Sequence, residues 1–178
     1  MIYPHTLQGK YVILQSVCTE DADFISKLRS DETLCRHLHR VDTSIEGQIS
    51  WINFQREQED DCYFLIKSIN GVSLGTIALY HIKESAAEIG RWVSYGNAFE
   101  NMEAVILIHD FAFEILHLDL VYTCTNISNE KVKSFWRRFG GDRTYIEEEE
   151  DFVASKNEIT YGTYQNFIRP EMIKMLRY

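Results

Sequence analysis

The dipeptide Asn70-Gly71 constrains this chain more than any other short feature. It separates two β-rich runs, 62–69 and 72–82, and Asn-Gly between such runs is the strongest short-range signal for an antiparallel hairpin. A third β-rich run, 87–94, follows almost at once. A three-stranded meander is therefore expected at the centre of the fold. Apolar alternation marks a further strand over 10–17, where Tyr11 and Ile13 alternate with Val12 and Leu14.

Helical signals surround the meander. Thr19 followed by acidic residues starts a helix that runs to about residue 30, with Thr19 as its expected N-cap. Ser44-Ile45-Glu46-Gly47-Gln48 opens a second, which carries Ile49, Trp51, Ile52 and Phe54. Residues 101–116 form a long amphipathic helix with Ala104, Leu107, Ile108, Phe111, Ala112 and Ile115 on one stripe. A strand over 118–125 and a helix over 129–139 follow, the latter with Val132, Phe135, Trp136 and Phe139 on one face. Residues 142–165 read as two more strands around the acidic run Glu147-Glu148-Glu149-Glu150-Asp151. That run reads first as a solvated loop and, more sharply, as a mouth that attracts a cationic substrate. The expected class is α+β, a mixed α/β sheet domain. Pro4 and Pro170 are the only prolines, so no Pro-rich linker divides residues 1–178 and one domain is expected.

Charge and cysteine usage narrow the function. Eighteen Lys plus Arg against 27 Asp plus Glu give a net charge of −9, the wrong sign for a general nucleic-acid binder. Cys18, Cys35, Cys62 and Cys124 are scattered without zinc or disulfide spacing, which fits reduced thiols in a cytoplasm, and no metal is expected. Met1-Ile2-Tyr3-Pro4-His5 lacks the regions of a signal peptide, and no uncharged apolar run is long enough to span a bilayer. The expected localisation is cytoplasmic, with neither nucleic acid nor membrane as partner.

Several strings, taken in order, resemble the GNAT family of acetyl-CoA-dependent N-acetyltransferases, closest to the branch that acetylates protein N-termini, polyamines or amino sugars. Leu7-Gln8-Gly9-Lys10-Tyr11-Val12-Ile13-Leu14 resembles that branch's first strand and Asp21-Ala22 its first helix start. Gly75-Thr76-Ile77 resembles its third strand and Ala87-Glu88-Ile89-Gly90-Arg91-Trp92-Val93 its fourth. Asp110-Phe111-Ala112-Phe113-Glu114, Asn129, Val132 and Phe139-Gly140-Gly141 resemble its last two helical segments. The resemblance implies a central, mostly antiparallel sheet splayed between strands four and five and flanked by about four helices. It also implies transfer of an acetyl group from acetyl-CoA, as co-substrate, to a primary amine by direct attack. The favoured acceptor is a small polar molecule such as a nucleotide-linked amino sugar, with a protein N-terminus or a polyamine as the rival. A GNAT-like domain that has lost catalysis and only binds is the reading from another class. A homodimer is left open.

The same resemblance assigns roles. Backbone groups of Trp92, Val93 and Ser94 would hold the pantetheine arm and supply an oxyanion donor. The phosphate loop departs from the family pattern, since Ser94-Tyr95-Gly96-Asn97-Ala98-Phe99-Glu100 keeps one glycine and places Glu100 where an anion should bind. The following helix start, with Asn101 and Met102, would still offer N–H groups. Lys131, Lys133, Arg137 and Arg138 could add charge for CoA phosphates. Asn129 would bond the pantetheine or cap its helix. Trp136 stands seven residues after Asn129, where many relatives carry a tyrosine acid, and so is assigned to the cofactor wall; Tyr161 and Tyr164 are alternative acids. Glu88 is the expected general base, with His81 as the alternative. His37 and His39 flank the inter-helix region that closes over the acceptor in this family and are expected to read substrate. Such a site needs no metal, and no His, Cys or carboxylate cluster has ligand spacing.

Overall fold

A computed structural model of the chain describes residues 1–148 and 153–176. The strands are β1 (Leu7–Gln8), β2 (Val12–Ser16), β3 (Asp61–Ser68), β4 (Ser73–Lys83), β5 (Ala86–Ser94), β6 (Leu120–Asn126), β7 (Arg143–Glu148) and β8 (Val153–Thr160). They form one sheet in the order β1-β2-β3-β4-β5-β6-β8-β7. The Asn70-Gly71 hairpin joins β3 to β4, and Gly71 supplies the left-handed residue, at φ +84, while its N–H donates to the Ser68 carbonyl.

Every neighbouring pair is antiparallel except β5 and β6, which run parallel over only Ala86↔Leu120, Ala87↔Val121 and Glu88↔Tyr122. Past Glu88 the two strands part. A bulge in β5 accompanies the opening: Thr76 faces Val93 and Ala78 faces Gly90, so Ile77 alone opposes both Arg91 and Trp92. Arg91 takes φ +47, which an L-residue adopts at a cost. The expected splay between the fourth and fifth long strands is thus present as a V between β5 and β6.

Strand alternation builds two cores. Cys62, Phe64 and Ile66 of β3, with Ile77 and Leu79 of β4, pack on the face covered by α4 (Ala98–Asp110), α5 (Glu130–Phe139) and α7 (Arg169–Leu176). Tyr63, Leu65 and Ala78 pack on the opposite face with Ile25 of α1 (Ala22–Ser30) and Ile52 of α3 (Ile45–Glu57). Burying each large side chain contributes roughly 1.5–3 kcal/mol.

Three sequence expectations need correction. The long helix begins at Ala98 rather than 101, because Asn97 is its cap: Asn97 Oδ1 accepts the N–H groups of Phe99 and Glu100. The first helix is capped one turn earlier than α1 itself, with Cys18 before a short 3-10 turn over Thr19–Asp21, so Thr19 is not the cap. The chain after β8 turns helical at Tyr161 instead of remaining extended to 165; Thr160 Oγ1 accepts the Thr163 N–H, and the helix continues through a wider turn over Tyr164–Ile168 into α7. The result is five helices of eight residues or more among the described residues, against about four expected. The short α2 (Glu32–Cys35), capped by Asp31, was also not foreseen. Of the acidic run, Glu147 and Glu148 end β7, while Glu149, Glu150 and Asp151 lie outside the described residues.

Two buried polar groups lock the first core. The Glu103 carboxylate of α4 accepts the backbone N–H groups of Lys10, Tyr11 and Val12 at 2.8, 2.6 and 2.7 Å, pinning the β1–β2 turn to the helix. His109 is fully buried, stacks on Tyr164 with ring centroids 5.0 Å apart, and bonds the Val105 carbonyl through Nδ1 at 2.7 Å. Burial lowers its pKa from 6.5 to about 4. The unfolded chain therefore takes up this proton at a higher pH than the folded one. Stability is whole above about pH 6.5 and falls as the pH drops towards 4, by about 1.4 kcal/mol per unit and roughly 3 kcal/mol in all. Urea melts at successive pH values should show this slope in the wild type and its loss in His109→Phe; equal slopes in both would contradict the assignment.

Candidate active site

The V between β5 and β6 is the natural site, because its inner edges are strand edges without a strand partner. Past Glu88, residues 89–94 of β5 pair with β4 on one side only. An extended chain laid in the gap can bond the free backbone groups as an added strand does. Trp92, Val93 and Ser94 lie on this stretch, four to six residues beyond the vertex. Val93 is buried, and the Trp92 ring meets Phe135 of α5 edge-on at 5.4 Å, so α5 packs against this stretch from the α4 side of the sheet.

Glu88 stands at the vertex and faces the α1–α3 side. It is 9% exposed; Oε1 accepts the Tyr80 hydroxyl at 2.6 Å, and Oε2 lies 3.4 Å from Nδ1 of His81. The His81 side chain is 65% exposed. Sequence reasoning treated Glu88 and His81 as alternatives, but the structure places them together as a buried carboxylate touching an exposed imidazole. Burial, and then the Glu88 charge, push the Tyr80 phenol far up, so it stays a donor. Gly90 is required beside it, since a Cβ there would come within 2.5 Å of the Tyr80 oxygen. Behind these groups an open pocket of about 580 Å³ is lined by His81, Tyr122, Asp60, Lys83 and Glu84.

A second set of residues had no assigned role in the sequence. Arg91 Nη1 bonds both Asp61 carboxylate oxygens, at 2.8 and 2.7 Å, and its guanidinium lies 4.2 Å over the Tyr80 ring and 5.2 Å over that of Trp51. Gln55 Nε2 holds Asp61 Oδ1 at 3.0 Å. The available signal was Asp61 at the start of β3 and Arg91 inside β5, since a charge in a central strand is rarely buried unless paired.

His37 and His39 fall in the segment after α2. The connection from α1 to α3 reaches both arms of the V: Tyr95 donates to Asp31, the cap of α2, at 3.3 Å on the β5 side, and Ser128 Oγ contacts His37 Nδ1 at 3.0 Å on the β6 side. His37 Nε2 accepts from Arg36 Nε at 2.9 Å. His39 is exposed, and its carbonyl accepts from Arg29. The structure thus brings His37 to the mouth through Ser128.

The phosphate loop is closed by its own side chains. Besides the two N–H groups held by Asn97, the Asn97 N–H donates to Glu100 Oε2 at 2.7 Å, the Gly96 N–H to Ser94 Oγ at 2.9 Å, and the Tyr95 N–H to the Leu74 carbonyl at 2.8 Å. Asn101 and Met102, expected at the helix start, lie one turn inside it. The Asn101 N–H bonds Asn97 O, and Met102 is buried in the core. The open edge of β5 fits an extended pantetheine arm, while the loop as it stands leaves few donors for a diphosphate. Of the four cations on α5, Lys133 and Arg137 are engaged by Glu130, while Lys131 and Arg138 are exposed.

Asn129 caps α5, its Oδ1 accepting the Val132 N–H at 3.3 Å. Trp136 is buried, 5.9 Å from the His109 ring. Tyr164 is wholly buried and donates to Asp110 at 2.8 Å, with Arg169 completing the cluster; burial and then Asp110 hold its phenol well up, which fits a structural role rather than an acid. Tyr161 lies against Phe113 at the far end of α4. Among the described residues no group of three or more His, Cys, Asp or Glu could hold a metal ion, and no helix is long and apolar enough to cross a membrane.

The sequence pattern of the acetyltransferase (GNAT) domain matches residues 12–142. No curated protein aligns significantly with the sequence. Among solved structures, FdhC, a nucleotide-linked sugar GNAT, superposes with a TM-score of 0.79 at 22% identity, covering 99% of each chain. The spermidine N-acetyltransferase from Vibrio cholerae in complex with CoA and spermine gives 0.76 at 17% identity, over 89% of this chain and 100% of that one. A GCN5-related N-acetyltransferase from Brucella melitensis gives 0.78 at 14% identity, over 98% and 85%. These likenesses show the shared fold.

Proposed function

The chain belongs to the GNAT acetyltransferase family, and from that premise we propose that it moves an acetyl group from acetyl-CoA to the primary amine of a small polar acceptor, a nucleotide-linked amino sugar. The observation that carries this reading is Glu88 at the vertex of the V, four residues before Trp92 on the open edge of β5. A base and a row of backbone donors are thereby set on one strand.

Acetyl-CoA supplies the acetyl group as an activated thioester. The chain's residues supply the rest. Backbone groups of residues 92–94 orient the donor and place an N–H against the oxygen that gains charge. Glu88 takes a proton from the acceptor ammonium, because only the neutral amine attacks. His81, within 3.4 Å and exposed, passes that proton to solvent. Trp136 has no ionisable group and Tyr164 is held in the core, so the departing sulfur takes its proton from water. Lys131 and Arg138 are the cations left to meet the phosphates of CoA.

FdhC, with its nucleotide-linked sugar, is the similarity that supports the sugar acceptor. A polyamine or basic protein N-terminus is the second reading, favoured by the net charge of −9, which attracts such acceptors. Thiol release from acetyl-CoA, measured over the three amine classes, separates them. The amino sugar should exceed the others by about tenfold to a hundredfold in kcat/KM. Preference for spermidine or a peptide would install the second reading, and no release with any amine would contradict acetyl transfer to amines.

A further inference from the structure

Glu88 is held by a neighbour that is itself held, and the chain of contacts ends at the strained bulge of β5. We propose that Arg91 and Tyr80 are positioning residues that set the base and the oxyanion donor together, as one unit. This rests on the acetyl-transfer reading above.

The unit can be traced atom by atom. Gln55 and Arg91 hold Asp61 from two sides, and Arg91 Nη1 reaches both of its oxygens. The guanidinium carbon lies 4.2 Å from the Tyr80 ring centroid, with Trp51 and Tyr63 at 5.2 and 6.0 Å. A planar guanidinium can bond a carboxylate at its edge while its carbon sits among three rings, a combination that the compact point charge of an ammonium reproduces poorly. Tyr80, braced in this way, donates to Glu88 Oε1 at 2.6 Å and leaves Oε2 for the incoming ammonium and His81.

The same side chain fixes the backbone. Arg91 is the bulged residue, at φ +47, and its carbonyl accepts the Thr76 hydroxyl at 3.1 Å. A bulge re-aims the groups that follow it, here the N–H of Trp92 and those beyond, away from a regular ladder with β4. A conformation this costly persists only where the surroundings over-determine it. Asp61, Tyr80 and Thr76 are those surroundings.

The test compares Arg91→Lys and Tyr80→Phe with the wild type, reading kcat, the acetyl-CoA Kd and the pH–rate profile. Tyr80→Phe is near-isosteric and removes one hydrogen bond to a carboxylate, which disfavours the charged form. It should lower kcat by about tenfold and move the acidic limb to higher pH, with the Kd unchanged. Arg91→Lys should lower kcat by about a hundredfold, again with little change in Kd. The double variant should lose less than the product of the two, since both act through one unit. If Tyr80→Phe keeps near wild-type kcat and an unmoved acidic limb, the proposal is overturned, whatever Arg91→Lys does to folding. Kd weakened in step with kcat overturns it too, since that would mark a binding role. A wild type that transfers to no amine defeats the underlying reading first and is told apart by that result alone.

Discussion

Glu88→Gln should lower kcat by at least about tenfold, and by about 10²–10⁴ where general-base assistance is lost in full, while acetyl-CoA affinity should stay as it was. The amide keeps the size of the carboxyl and can still accept from Tyr80, so packing at the vertex is preserved. What it removes is the capacity to take a proton. The acidic limb of the pH–rate profile should flatten in the variant, because the group whose protonation it reports is gone. A variant with near wild-type kcat at every pH would make Glu88 structural and move the role to His81, testable by His81→Gln. If both remained active, the acceptor would arrive neutral and rate would come from holding the two substrates together.

The second large effect concerns folding. Glu103→Gln should destabilise the protein by roughly 1–3 kcal/mol, the cost of a buried donor left without an acceptor, out of the 5–15 kcal/mol that a domain commonly has. Three backbone N–H groups converge on this buried carboxylate, and the substitution turns one of its oxygens into a donor facing donors. Gly9 belongs to the same device, since a Cβ there would come within 2.3 Å of the Glu103 carboxyl. Urea melts at pH 7 read the loss as a lower midpoint with an unchanged slope. A shift below about 1 kcal/mol would mean that the β1–β2 turn finds other acceptors.

The meander and the two long helices were legible because local rules and tertiary structure agree there, whereas the splay followed only from the family resemblance. Asn70-Gly71 makes its hairpin, and the stripe that includes Ala104, Ile108 and Phe111 faces the core. The C-terminal helix was not legible. Tyr161, Tyr164 and Phe167 look like strand residues, and only the Thr160 cap and the anchoring of Tyr164 on Asp110 turn the segment helical. At the site, Glu88 could be named from a string, but its partners could not. Tyr80, Arg91 and Asp61 sit on three different strands, and their meeting depends on register and on a one-residue bulge. The start of α4 carries a simpler signal: Asn97 and Glu100 have the spacing of a capping box, which puts the cap four residues before Asn101.

The central claim is that the open edge of β5 beyond Glu88 receives the thioester donor. Amide hydrogen exchange with and without acetyl-CoA tests it residue by residue. The account predicts slowed exchange concentrated in residues 89–94, as backbone N–H groups acquire a partner in the V. Slowing confined to other elements, or no change at saturating acetyl-CoA, would contradict it.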